Sequence, residues 1–195
     1  MCIEIRQIGK FVKLKDIVLA SLLGACGGLG ILTTNFFHAM IPIPGFGALF
    51  FLPFSTACII IARSRIDHPA AATITKLIQQ TVILMLPGGP TVTKNPIMIP
   101  LMSLDGVLID LYYRFKPSDL AESKILSGLL GSISGSAGIL LQTGLLYLII
   151  GADQFFLAKG VRFFLGIFVA MHGILRFCGG VMGSAILKAI PRRVV

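Results

Sequence analysis

Six apolar runs, separated by short polar or proline- and glycine-rich stretches, divide the chain at about residues 16–34, 46–62, 69–86, 96–113, 125–150 and 161–190. At 1.5 Å per residue each run comes close to, or exceeds, the roughly 30 Å of a bilayer's hydrocarbon core. The pattern therefore predicts six transmembrane helices. No sustained alternation of apolar and polar positions points to a barrel. The third run is interrupted by Lys76, Gln79 and Gln80, so its helix must face protein or water rather than lipid all round. Pro96 opens the fourth run at a helix start, where its missing N–H costs little.

Composition agrees with the pattern. Of 195 residues, 55% are hydrophobic and 13% charged, with a mean hydropathy of +0.92. A soluble domain of this size has too little interior to hide so much apolar side chain. Six crossings also leave no length for a separate soluble domain. The expected fold is an all-α integral membrane protein, a compact bundle of six transmembrane helices over residues 16–190. A basic interfacial lead-in, 1–15, precedes it, and a basic tail, 191–195, follows. The four cysteines, Cys2, Cys26, Cys58 and Cys178, show no C-x-x-C spacing, so neither a zinc site nor a disulfide framework is expected. Leu23-Gly24-Ala25-Cys26 looks like a lipoprotein cleavage box, but the apolar run continues to Leu32, and the first segment is expected to be retained.

The net charge of +9 would suggest nucleic acid in a soluble protein. Here the basic residues sit between the apolar runs, where they orient the chain instead. Arg6, Lys10, Lys13, Lys15, Arg63, Arg65, Arg114, Lys116, Lys124, Lys188, Arg192 and Arg193 fall on one side, against Lys94, Lys159 and Arg162 on the other. Under the positive-inside rule both ends are cytoplasmic, in a multi-pass protein of the cell membrane. The connections at 35–45, 87–95 and 151–160 then face outside, and no nucleic-acid partner is expected.

Two features go beyond a generic bundle. First, Ala20, Gly24 and Gly28 recur at four-residue steps and form a small-residue stripe on one face of span one, which lets another helix approach closely. Gly128, Ser132 and Ser136 do the same on span five, and Gly173, Gly180 and Gly183 line span six. The stripe on span five reads as packing within the bundle; the one on span one suits either packing or a partner protein. Second, Lys76, Asp105, Asp110, His172 and Arg176 are ionisable residues inside the spans, where each is costly in hydrocarbon. Counted from the outer span ends, Lys76 and Asp105 lie at roughly 15 and 14 Å, Asp110 and Arg176 at roughly 21 and 22 Å. The depths predict two ion pairs, Lys76–Asp105 and Asp110–Arg176, with a ligand role as the alternative.

His172 and Arg176 stand one helical turn apart, on the face of span six that carries Gly173 and Gly180. That face is expected to enclose a polar site in the outer half of the bundle. His38, Lys94 and Asn95 would close it, and Gln142 and Tyr147 could line it. For His38 and Lys94, exposure in a polar loop is the competing expectation.

The span count, the basic cytoplasmic connections, the Ala20-Gly24-Gly28 stripe and the polar loop before span four together resemble the substrate-binding S components of energy-coupling factor (ECF) vitamin transporters. The resemblance spans nearly the whole chain and rests on architecture. In that family span one carries an A-x-x-x-A stripe that docks on a transmembrane coupling protein; Ala20-Ser21-Leu22-Leu23-Gly24 matches with Gly in place of the second Ala. The resemblance implies docking by Ala20, Gly24 and Gly28, and a vitamin-like substrate beneath the outer loops near Asn95, Gln142 and His172. It also implies two cytoplasmic ATPases as partners and no enzymatic activity, cofactor or metal in this chain. No G-x-x-x-x-G-K-[ST] motif occurs.

Other classes compete. An intramembrane serine protease would use Ser134 and His172 as a dyad, but the G-x-S-G string of rhomboid-like proteases stands here as Ser132-Ile133-Ser134-Gly135. Asp105-Gly106 followed by Asp110 matches only the opening of a lipid-phosphate transferase signature, and the rest is absent. A stand-alone secondary transporter would require two similar inverted halves, and none is visible.

Overall fold

A computed structural model describes residues 13–41, 47–86, 96–115, 123–150 and 161–190. The tail at 191–195, most of the lead-in, and Lys94 and Asn95 lie outside the described residues, as does the side chain of His38. Among the described residues there are seven helices and no strand. They are α1 (Leu14–Met40), α2 (Ala48–Arg65), α3 (Ala71–Met85), α4 (Met98–Met102), α5 (Leu104–Phe115), α6 (Lys124–Ile150) and α7 (Val161–Ala189). Four stretches, Leu14–Phe37, Ala48–Arg65, Lys124–Leu145 and Val169–Ala189, are long and apolar enough to cross a membrane. The protein is thus all-helical, with several helices of membrane-spanning length. α3, at 15 residues, is shorter, about 22 Å.

Two sequence expectations need correction. Phe36, Phe37 and His38 are not in a loop, because α1 continues to Met40. It stops where backbone chemistry requires: Ile41 is extended, at φ −131° and ψ 100°, as the residue before a proline prefers. The fourth run is also not one helix. It breaks at Ser103 (φ −95°, ψ −2°) into α4 and α5. Pro100 has no N–H to give to the preceding turn, and Ser103 turns its hydroxyl back to the Ile99 carbonyl at 2.7 Å. The Ser103 carbonyl then receives the Gly106 and Val107 N–H groups at the start of α5.

The helices form a ring in which α2, α7, α6, α5 and α3 pack side by side in that order, with α1 against both α2 and α3. Small residues set these approaches. On α6 and α7 an added Cβ at Gly128 would meet the Phe177 ring, one at Gly131 the Arg176 carbonyl, and one at Gly180 the Ser127 carbonyl. Of the α6 stripe, Gly128 packs inside the bundle as expected, whereas Ser132 and Ser136 line a groove between α6 and α7.

The stripe on α1 serves the same purpose in this chain, which is the packing alternative of the two that the sequence left open. A Cβ on Gly24 would lie 2.7 Å from the Thr75 carbonyl oxygen, and one on Gly28 2.8 Å from Val82 Cβ. Ala20 is buried with Ala62, Ile66 and Ala71. The face is covered by α3 of the same chain. The exposed side of α1 carries Val18, Leu22, Cys26, Leu29 and Phe36 instead.

Candidate functional site

The interior of the ring is layered. Toward the end where Arg63, Arg65, Arg114, Lys124 and Lys188 gather, it is apolar, built on Ile59, Ile60, Ala72, Ile109, Leu130 and Leu187. Toward the opposite end Leu101 packs with Met102 and Leu145. Between these layers lies a polar one that packing alone does not require.

Lys76 of α3, Asp105 of α5 and Arg176 of α7 meet there, 2%, 0% and 6% exposed. Lys76 Nζ stands 3.3 Å from Asp105 Oδ2, and the Arg176 guanidinium donates to the same oxygen. Asp105 Oδ1 accepts the Gly106 N–H at 2.9 Å, so the carboxylate also faces the positive end of α5. Ser55 of α2 accepts from the Gln79 amide and, at 3.5 Å, from Lys76. Glycines on α6 make room: a Cβ on Gly135 would collide with the Arg176 side chain, and one on Gly138 would lie 3.1 Å from Asp105 Cβ. Arg176 Nε, Gln79 Oε1 and Thr56 Oγ1 are buried without a hydrogen-bond partner.

The predicted Lys76–Asp105 pair forms. The predicted Asp110–Arg176 pair does not, because Arg176 reaches Asp105. The error lies in the depth estimate: α7 has 29 residues, about 43 Å against a core of roughly 30 Å, so counting from Val161 places Arg176 too deep. His172 is buried one turn from Arg176, within electrostatic reach of Lys76, Asp105 and Arg176. Gln142 is buried on α6, one turn beyond Gly138. Gly173, expected on the same face as His172, instead lines an open groove of about 690 Å³ with Ser132, Ser136 and Ile174. Ser134 donates to the Gly131 carbonyl of its own helix at 3.2 Å.

Asp110 has a different role, missed from sequence. Its carboxylate accepts from the Ala72 and Thr73 N–H groups at 3.1 and 2.8 Å and from the Thr73 hydroxyl at 2.7 Å, and lies 3.1 Å from Arg63 Nε. α3 has no capping side chain of its own, since Ala70 precedes it, so Asp110 caps it from a neighbouring helix. Arg63 also stacks over Tyr113, 4.0 Å from the ring centroid, and bonds the His68 carbonyl. The sequence signals were the missing cap at Ala70 and an aromatic three residues after Asp110. Asp110→Ala should lower stability by about 2–3 kcal/mol: it removes the cap of α3, usually worth ~1 kcal/mol, and leaves the buried Arg63 without its carboxylate, a loss softened by the carbonyl and ring contacts that Arg63 retains. Equilibrium unfolding in detergent would show this; an unchanged midpoint would mean the cap is idle.

The fold and site thus define an all-α protein in which several helices are long and apolar enough to span a membrane, with a buried ion cluster among its helices. Compared with protein-family profiles, curated proteins and solved structures, the chain matches none of them.

Proposed function

We propose that the chain crosses the cell membrane six times with both ends cytoplasmic, and binds a small solute in the polar layer as the substrate-binding subunit of an ECF-type importer. Its partners would be a transmembrane coupling protein and two cytoplasmic ATPases, and its solute a vitamin or vitamin precursor. The orientation is supported by the gathering of Lys13, Lys15, Arg63, Arg65, Arg114, Lys124 and Lys188 toward one end of the ring. α3 and the α4–α5 pair supply the two shorter crossings, with their polar faces turned inward.

The observation that carries the solute reading is the Lys76–Asp105–Arg176 layer with its unmet Arg176 Nε and Gln79 Oε1. Ionisable groups at such depth are costly, and binding is the usual return for that cost. A coupling protein that engaged the α1 stripe would have to displace α3, the helix that carries Lys76 and Gln79. Docking there would open the polar layer, which links partner engagement to solute release.

The test is reconstitution with a coupling protein and ATPases in vesicles, alongside a thermal-shift screen of the purified chain against vitamins and their precursors. A true ligand raises the unfolding temperature with saturation and is taken up only when ATP is supplied. Uptake by the chain alone would replace the ECF reading with a stand-alone transporter.

A further inference from the structure

The charges of the polar layer do not balance. Lys76 and Arg176 bring two cations, and Asp105 one carboxylate. Every other carboxylate among the described residues is elsewhere. Asp110 is engaged with Arg63 and the start of α3, about 7 Å further along α5 at 1.5 Å per residue. Asp16 lies in the first turn of α1, and Asp67 follows the end of α2.

Hydrogen bonding is out of balance in the same sense. An ammonium has three donors and a guanidinium five. Against these stand the Asp105 oxygens, one already receiving the Gly106 N–H, and the Ser55 hydroxyl at 3.5 Å from Lys76. Arg176 Nε has no acceptor at all. The unmet acceptor nearby, Gln79 Oε1, is turned toward α1, where it lies 3.3 Å from a Cβ built on Gly27. The layer therefore has surplus positive charge and surplus N–H groups, buried between apolar layers where neither is cheap.

We propose that the solute received by this layer is a small anion whose carboxylate or similar oxyanion takes the place of the missing counter-charge between Arg176 and Lys76. This rests on the reading of the layer as a solute site. A carboxylate suits the guanidinium because its two oxygens match the planar N–H fork. Asp105 then has a second role: it holds both cations in position, so that the anion meets a site already formed.

The test uses the purified chain in detergent, with acetate and benzoate compared with acetamide and benzamide at constant ionic strength. At a hundredfold excess over Kd the anions should raise the unfolding temperature by about 5 °C or more, and the amides should not. Lys76→Met should fold and lose the preference; Lys76→Arg should keep it. Equal shifts from acids and amides, or an anion shift unchanged in Lys76→Met, would overturn the charge assignment. So would a wild-type chain that a neutral vitamin stabilises and none of the anions does. In that last case the solute site itself stands, whereas failure of every vitamin and every probe removes both readings.

Discussion

Asp105→Asn is expected to lower the stability of the detergent-solubilised chain by about 3–5 kcal/mol, the range for a buried ion pair that loses one partner. Asn retains the shape and one acceptor oxygen, so the loss reports the charge. Without the carboxylate, Lys76 and Arg176 face each other at 2% and 6% exposure, with only neutral acceptors, the Asn oxygen and the Ser55 hydroxyl, against Lys76. Denaturant unfolding followed by circular dichroism measures the difference. A loss below about 1 kcal/mol, typical of exposed pairs, would show that water reaches the layer. A double-mutant cycle separates charge from packing. Adding Lys76→Met to Asp105→Asn removes one uncompensated cation and should recover about 1–3 kcal/mol, an ordinary coupling for residues in contact. In the wild-type background the same change should be close to neutral, because Asp105 keeps Arg176 as its partner and the layer loses its surplus cation, leaving no uncompensated charge.

The helices were legible where an apolar run decides them. The runs at 46–62, 69–86, 125–150 and 161–190 differ by three residues or fewer at each end from α2, α3, α6 and α7. Where backbone chemistry decides, hydropathy gave the wrong limit: α1 outlasts its apolar run and ends before Pro42, and α4 and α5 separate at Ser103 although the apolar character continues.

The candidate site was legible as a set of residues and not as a set of partners. Charges inside apolar runs announce that they must meet something, so Lys76, Asp105 and Arg176 could be singled out. Which carboxylate meets which cation depends on how far one helix is shifted along another, and spacing within a single helix carries no such information. Arg63 was counted among the basic residues between apolar runs because it ends a span, yet it is buried against Asp110 and Tyr113. Small-residue stripes have the same limit. They show that another backbone comes close and leave its identity open, which is why the partner of Gly24 and Gly28 proved to be α3.

That last assignment yields the second large prediction. Gly24→Leu should destabilise the isolated chain by about 3 kcal/mol, at the upper end of the cost of overpacking. The first added carbon would lie 2.7 Å from the Thr75 carbonyl oxygen and 2.9 Å from Ile78 Cβ. A carbonyl cannot rotate away as a side chain can, so α1 and α3 must separate. Leu22→Ala, on the exposed side of α1 at 59% exposure, should change stability by no more than about 0.5 kcal/mol. If Gly24→Leu instead unfolds at the wild-type temperature and loses only the capture of a coupling protein, α3 does not hold this face and the stripe docks outward. If stability falls as expected, solute-induced stabilisation should fall with it, because α3 carries Lys76 and Gln79. The joint loss would tie the α1–α3 contact to the polar layer, as the proposed release of solute by displacement of α3 requires.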